Sequence, residues 1–400
     1  MSDAYVFDAI RTPRGRGKDT GSLYSVRPID LLSGVLRAVR LRNSLDTSQV
    51  DEVVVGCVTQ VGDQGGCIAR YASMAAGYDY RAPGVTINRF CASGLEAVNH
   101  AAAMIVSGFA DLVVAGGVES MSRVKMGSDG GALTDPTCQW DVGFVPQGIS
   151  ADLMATLHGI TRMDVDAFAC ESQRRACASL DSGAFRSVVP VVDRAGLVVL
   201  DRDEYPRQET TIESLGKLNA AFEAIGARFG LDSLTRRTYP QVERIQHIHT
   251  AGNSSGIVDG AAAVLIGSLE KGLSMGLKPR AKIRAAATVG DEPILMLDGP
   301  VPATRKAMAR AGMVAKDIDL FEVNEAFAVV PIRYMREFDV PPDRLNANGG
   351  AIALGHPLGA TGAMLVGTLL DALEERNMST GLVTLCIGGG MGEATIFERV

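Results

Sequence analysis

Four short segments of this 400-residue chain hold side chains suited to group-transfer chemistry. The first is Phe90-Cys91-Ala92-Ser93-Gly94. The pattern from Glu96 to Val106 reads as a helix, so Cys91 stands at a strand-to-helix turn with only small residues after it. The free amides and positive partial charge of a helix N-terminus stabilise a thiolate and lower its pKa. The same amides could hold the oxyanion formed when that thiolate attacks a thioester. Taken alone, Cys91 reads more readily as a small buried hydrophobe.

The other three segments supply possible partners. His356, between Gly355 and Pro357, lies in a loop without apolar periodicity. It could take the Cys91 proton with a pKa near the working range. Asn324 and Glu325 follow directly on an apolar strand, where polar groups must find partners or bear a desolvation cost. Asn324 could orient a water that helps bind an oxyanion, or simply satisfy turn backbone. Cys386 ends the strand Leu382-Val383-Thr384-Leu385-Cys386, ahead of Gly388-Gly389-Gly390-Met391-Gly392. That glycine spacing imitates a dinucleotide fingerprint, but Ala394 to Phe397 reads as a strand where the fingerprint needs a helix. Glycines there allow close backbone approach and aim amides into a site. His247 and His249 read as one strand face without a third ligand, so no metal site is expected. Cys170 and Cys177 fall two turns apart on an expected helix from Asp164 to Ala178 and read as packing residues.

The elements that must position these groups alternate between strand and helix, which predicts an α/β fold. Val53-Val54-Val55-Gly56 and Leu112-Val113-Val114-Ala115 read as buried strands flanking the helix after Cys91. Ser93 and Glu96 match a capping box, and Gly108 matches the residue past the helix end. Val50-Asp51-Glu52-Val53-Val54-Val55 is echoed by Ile318-Asp319-Leu320-Phe321-Glu322-Val323. In each half a small-residue turn opens a helix some way later, at Cys91 and at His356, and an apolar strand ending in glycines follows. The pattern predicts duplication of one α/β unit, with the two turns facing each other at a pseudo-twofold. The stretch from about Met121 to Ile245 is richer in charge and reads as an excursion inserted in the first unit.

Composition narrows the class. Hydrophobic residues make up 46% and charged residues 21%, a globular balance, and the net charge is −7. There is no basic stripe and aromatics are only 5%, which argues against nucleic acid as a partner. No apolar run is long enough to predict a membrane span. Met1 to Phe7 reads as a first strand and not as a signal peptide. Seven scattered cysteines predict reduced thiols and a cytoplasmic location.

Together the segments resemble the thiolase family. The match is carried by Asn88 to Gly94, Gly116 to Ser122, Thr250 to Gly256, Asp259 to Ala263, Asn324 to Phe327, Gly349 to Gly359 and Cys386 to Gly392, in the family's order over nearly the whole chain. The resemblance implies a five-layered αβαβα fold. Residues 1–120 with 246–275 would form the N-terminal core unit, 121–245 a loop domain, and 276–400 the C-terminal core unit. It also implies a ping-pong acyl transfer. Cys91 would be the nucleophile, activated by His356, and Cys386 the acid and base at the α-carbon of acetyl-CoA. Asn324, through a water, and His356 would form one oxyanion site, and the amides of Cys91 and Gly388 the other. Ser255 would contact the pantetheine of CoA. No permanently bound cofactor is implied; CoA and acyl-CoA are substrates. A homodimer or homotetramer is implied, with possible association with other β-oxidation enzymes. One departure stands out. Members specific for acetoacetyl-CoA carry an aromatic-His-Met-Gly stretch in the loop domain, where this chain reads Val145-Pro146-Gln147-Gly148. That leaves room for longer, branched or ring-bearing acyl groups.

Overall fold

The computed structural model describes residues 3–400. Its strands are β1 (Ala4–Arg11), β2 (Gly15–Arg16), β3 (Glu52–Gly56), β4 (Gly84–Ile87), β5 (Leu112–Ser120), β6 (Val191–Val192), β7 (Val198–Leu200), β8 (Val258–Ser268), β9 (Ala281–Gly290), β10 (Leu320–Val323), β11 (Thr380–Ile387) and β12 (Met391–Arg399). All but β6 and β7, which pair with each other, belong to one hydrogen-bonded sheet with the order β10-β11-β12-β9-β1-β8-β5-β3-β4 and β2 on β8.

That order contains the same unit twice. In one half β3 and β5 are parallel, and β8 and β1 follow antiparallel. In the other β10 and β11 are parallel, and β12 and β9 follow antiparallel. The correspondence reaches single side chains. The Asp51 carboxylate accepts the amides of Asp111 and Leu112 at 2.8 and 3.0 Å. The Asp319 carboxylate accepts those of Ser379 and Thr380, both at 2.9 Å. Each aspartate thus pins the start of the next parallel strand, which is why the acidic residue recurs in both halves. The halves join edge to edge where Tyr5 and Val6 pair with Lys282 and Ala281.

Strand alternation sorts the core into layers. Val53, Val55, Leu112 and Val114 face outward onto Leu32, Val35 and Val39 of the Pro28–Arg42 helix. Val54, Val113 and Ala115 face inward, onto Val98, Ala101 and Ile105 of the Ser93–Ser107 helix. Val366, Leu369 and Leu373 of the Leu358–Glu375 helix share that inner layer with Val383 and Leu385 of β11. Phe321, Val323, Leu382 and Ile396 face the opposite way, onto Val301, Ala307 and Met308 of the Pro300–Ala311 helix. The sequence therefore reads, in space, as helices, half-sheet, two central helices, half-sheet, helices. The Leu358–Glu375 helix is buried along nearly its whole length because it lies between two sheets, which accounts for its lack of a polar face.

The connection between β5 and β8 runs from Ser120 to Val258 and carries several helices, including Gln147–His158 and Arg162–Ser182. The equivalent connection between β11 and β12 is only the turn at Gly388-Gly389-Gly390, where Gly389 and Gly390 take φ of 80° and 73°. Two expectations need correction. Ser93 forms no capping box, because its hydroxyl is already engaged by the preceding turn: it accepts from the Arg89 amide at 2.8 Å and donates to the Phe90 carbonyl at 2.7 Å. His247 and His249 do not lie on a strand; they belong to an irregular segment held by the Asp152 carboxylate. Gly108 does end the Ser93–Ser107 helix in the left-handed conformation, with φ of 75°.

Candidate active site

The two central helices begin side by side, and the packing that permits this is glycine on glycine. A methyl on Gly94 would sit 2.9 Å from both the Ala363 nitrogen and the Gly359 carbonyl oxygen. Positions 117, 359 and 362 are equally closed to any larger residue, since backbone of the opposing segment fills the space. This crossing brings the Cys91 turn against the turn that follows His356.

The Cys91 turn is built from local polar contacts. Phe90 adopts φ of 45°, a left-handed conformation that costs a non-glycine residue on the order of 1–3 kcal/mol unless its surroundings hold it. Here the Asn88 side chain holds it, accepting the Phe90 amide at 2.8 Å and donating to the Val58 carbonyl at 3.1 Å. Cys91 is buried and packs with Val58, Met121 and Leu358. Its sulfur faces the backbone N–H of Gly388, its own N–H and the Gln147 side-chain amide, the last at 4.0 Å. The thiol pKa is nevertheless raised, because burial outweighs those hydrogen bonds. The expected lowering by the helix N-terminus is thus overridden in the free protein.

His356 is equally buried, and its ring is oriented at both nitrogens. Thr361 donates its hydroxyl to the Pro357 carbonyl at 3.0 Å, which leaves its oxygen to accept from His356 Nδ1 at 2.6 Å. The proton is thereby placed on Nδ1 and the lone pair on Nε2. Asn324 Nδ2 lies 3.3 Å from Nε2, while Asn324 Oδ1 is buried without a partner. Burial first, and the positive charge of Arg14 second, push the His356 pKa down to about 3. That is far below the expected working range, so His356 is neutral and a weak base until substrate is present. Cys386 is fully buried, and its pKa is pushed up by burial and then by the nearby Cys91 sulfur. The free site is therefore a neutral thiol, imidazole and thiol.

Ser255 sits between the two loops. Its amide donates to the Ala326 carbonyl at 2.9 Å, and the next residue, Gly256, accepts the His356 amide at 2.9 Å. One segment thus ties the Asn324 loop to the His356 loop.

The sequence pattern assigned no role to Glu119 or Arg14, and marked Glu325 only as a polar group in need of partners. Glu119 is buried and accepts four N–H groups: Val58 at 3.0 Å, Thr59 at 3.2 Å, Gln64 Nε2 at 2.7 Å and Gly359 at 2.9 Å. It clamps the wall beside Cys91 to the helix after His356. Glu325 accepts from Ser172, Asn346 and the Ile352 amide, which fixes the loop leading to His356. Arg14 is fully buried, and burial followed by the charge of Arg11 lowers its pKa to about 9. The available signal was a charged residue inside an otherwise apolar or small-residue run, at Glu119 and at Glu325.

The chain is similar to known proteins along its whole length. The family profile described as the thiolase N-terminal domain matches residues 4–228, and the one described as the thiolase C-terminal domain matches residues 277–399. The chain is 40% identical over 410 residues to the 3-ketoacyl-CoA thiolase of Aeromonas hydrophila subsp. hydrophila, covering all of both proteins. The same values hold for the 3-ketoacyl-CoA thiolase of Citrobacter koseri. The crystal structure of the Bacillus anthracis acetyl-CoA acetyltransferase superposes with a TM-score of 0.86 at 34% identity, covering 100% of this chain and 99% of that one. The chain belongs to the thiolase family of acyl-CoA C-acyltransferases.

Proposed function

We propose that this thiolase cleaves 3-oxoacyl-CoA with CoA, giving acetyl-CoA and a shortened acyl-CoA, or runs the reverse Claisen condensation. The observation that carries this reading is the Cys91 sulfur under two backbone N–H groups, beside the turn of an imidazole whose Nε2 carries its lone pair, met only by Asn324 Nδ2. His356 removes the Cys91 proton, and the thiolate adds to the C3 ketone of the substrate. The C3 oxyanion that forms is held by the amides of Cys91 and Gly388, and the thioester oxygen of the acetyl-CoA half meets His356, now protonated, and a water held by the free Asn324 Oδ1. Collapse breaks the C2–C3 bond, and Cys386 protonates the departing acetyl-CoA carbanion. CoA gives its thiol proton to the Cys386 thiolate and attacks the acyl-Cys91 thioester, its oxyanion held by the same amides of Cys91 and Gly388; Cys91 leaves and takes back its proton from His356. Ser255 meets the pantetheine arm, a role supported by its position on the segment that joins the two loops.

No permanently bound cofactor is needed, since CoA is itself a substrate. Pro146 and Gln147 stand where acetoacetyl-specific members carry His and Met, which supports acyl groups larger than acetoacetyl. We assign residues 1–120 and 246–275 to one core unit, 276–400 to the other, and 121–245 to the loop domain. The open edge strand β4, flanked by the exposed side chains of Tyr71, Met74, Tyr80 and Val85, supports assembly into a homodimer or homotetramer. Among the described residues no helix is long and apolar enough to cross a membrane. A cytoplasmic site of action, alongside other β-oxidation enzymes, fits the reduced cysteines. The test is CoA-dependent consumption of a panel of 3-oxoacyl-CoAs by the wild type and by Cys91→Ala. Turnover in the first and its loss in the second is expected; equal turnover in both would overturn the assignment of Cys91.

A further inference from the structure

A second buried polar cluster takes no part in this chemistry. His247 and His249 both direct Nδ1 at Asp152, each at 2.7 Å, one to either carboxylate oxygen. The amides of Ile248 and His249 add two more donors at 3.0 Å. Burial raises the Asp152 pKa, but the two imidazoles and these amides together hold it below the usual range, so it is a carboxylate. His247 meets Asp232 through its other nitrogen at 3.1 Å and has a donor use for both nitrogens. His249 does not. Its Nδ1–H is spent on Asp152, and its Nε2 is fully buried with no partner. In this tautomer Nε2 carries a lone pair, so what it lacks is a hydrogen-bond donor.

The cluster lies on the helix that borders Cys91. Asp152 belongs to the Gln147–His158 helix, whose first side chain reaches the Cys91 sulfur. At the next residue the ring of Phe222 fills the space that a side chain on Gly148 would occupy. Phe222 meets Phe327 edge to face at 5.9 Å, and Phe327 meets His249 edge to face at 5.5 Å. Three rings thus run from Gly148, the residue after the one that reaches Cys91, to His249, and Phe222 is the half-buried one.

We propose that His249 determines substrate specificity by accepting a hydrogen bond from a hydroxyl carried on the distal part of the acyl group. The substrate class is then a hydroxylated 3-oxoacyl-CoA that displaces the Phe222 ring to reach Nε2. A ketone or carboxylate at the same carbon offers no donor and is not favoured. Asp152 acts as a positioning residue that fixes the tautomer. The proposal rests on the thiolase reading above.

The experiment measures kcat/KM for straight-chain 3-oxoacyl-CoAs of increasing length and for their chain-terminal hydroxyl and keto counterparts. Wild type is compared with His249→Val and with His249→Phe, the latter keeping the ring contact to Phe327, and folding of each is checked by thermal unfolding. The expected result is that at one chain length the wild type prefers the hydroxylated substrate by about tenfold or more. That preference, taken as a ratio, collapses to about one in either folded variant. Cleavage of plain substrates without a hydroxyl preference at any length overturns this proposal alone, as does a preference that survives both substitutions. Failure of the wild type on every compound overturns the thiolase reading itself.

Discussion

Replacing Glu119 by glutamine tests whether the clamp between the two halves of the site works as a carboxylate. Glu119 Oε2 accepts the amides of Val58 and Gly359, and Oε1 accepts the Thr59 amide and Gln64 Nε2. Four donors and no acceptor surround it, so it must be ionised, although burial raises its pKa. Glutamine offers one oxygen. Whichever way its amide turns, the NH2 group faces two N–H donors. Gln64 cannot rotate to help without surrendering its bonds to the Thr59 carbonyl and the Ser120 amide. Two charge-assisted hydrogen bonds are lost, each worth about 1.5–3 kcal/mol, or about 3–6 kcal/mol together. Glutamine also escapes the desolvation cost of a buried charge, which places the expected loss at the lower end, about 3 kcal/mol. The Gly359 amide and the Val58 wall are then free to shift, and a displacement of about 1 Å near reacting atoms costs about 10²-fold in rate. Urea unfolding and thiolysis kcat measure the two effects. A stability loss under about 1 kcal/mol together with an unchanged kcat would refute the clamp.

Arg14→Met removes a buried positive charge that lowers the His356 pKa, so that pKa rises. The acid limb of the kcat/KM profile should move to higher pH in the variant; a superimposable profile contradicts the electrostatic role. Gly94→Ala places a methyl 2.9 Å from two backbone atoms of the opposing helix and should destabilise by about 1–3 kcal/mol, read by thermal unfolding. Asn324→Ala removes the donor to His356 Nε2 and the free Oδ1, and should lower kcat by about 10²–10³-fold with a smaller effect on KM. His247 has its pKa raised to about 9, first by the hydrogen bond to Asp152. A raised histidine pKa stabilises the fold fully below the unfolded value of about 6.5, and that stabilisation is lost as pH climbs through about 9. Stability should therefore fall between those limits in the wild type, and His247→Gln should flatten that part of the curve.

The sequence by itself determined the α/β class and the repeat, because both are written in local pattern. Asp51 and Asp319 recur since each half needs the same two amides pinned. The strands read as unbroken apolar runs because each half-sheet is covered on both faces. Cys91, His356, Asn324 and Cys386 stood out in the sequence as candidates because each falls at or near the end of an element, where a polar or nucleophilic group is not explained by the apolar pattern. What the tertiary structure decided depends on burial and on segments far apart in the chain. Helix-end electrostatics predict a lowered Cys91 pKa, but desolvation by Val58, Met121 and Leu358 reverses the sign. His356 likewise reads as a base of ordinary strength until burial and Arg14, more than 300 residues earlier in the chain, weaken it. His247 and His249 read as a strand face, yet Asp152, nearly a hundred residues away, gathers both and leaves one nitrogen without a partner. Local pattern records what each residue prefers; solvent exclusion and charge at a distance exist only once the chain has closed on itself.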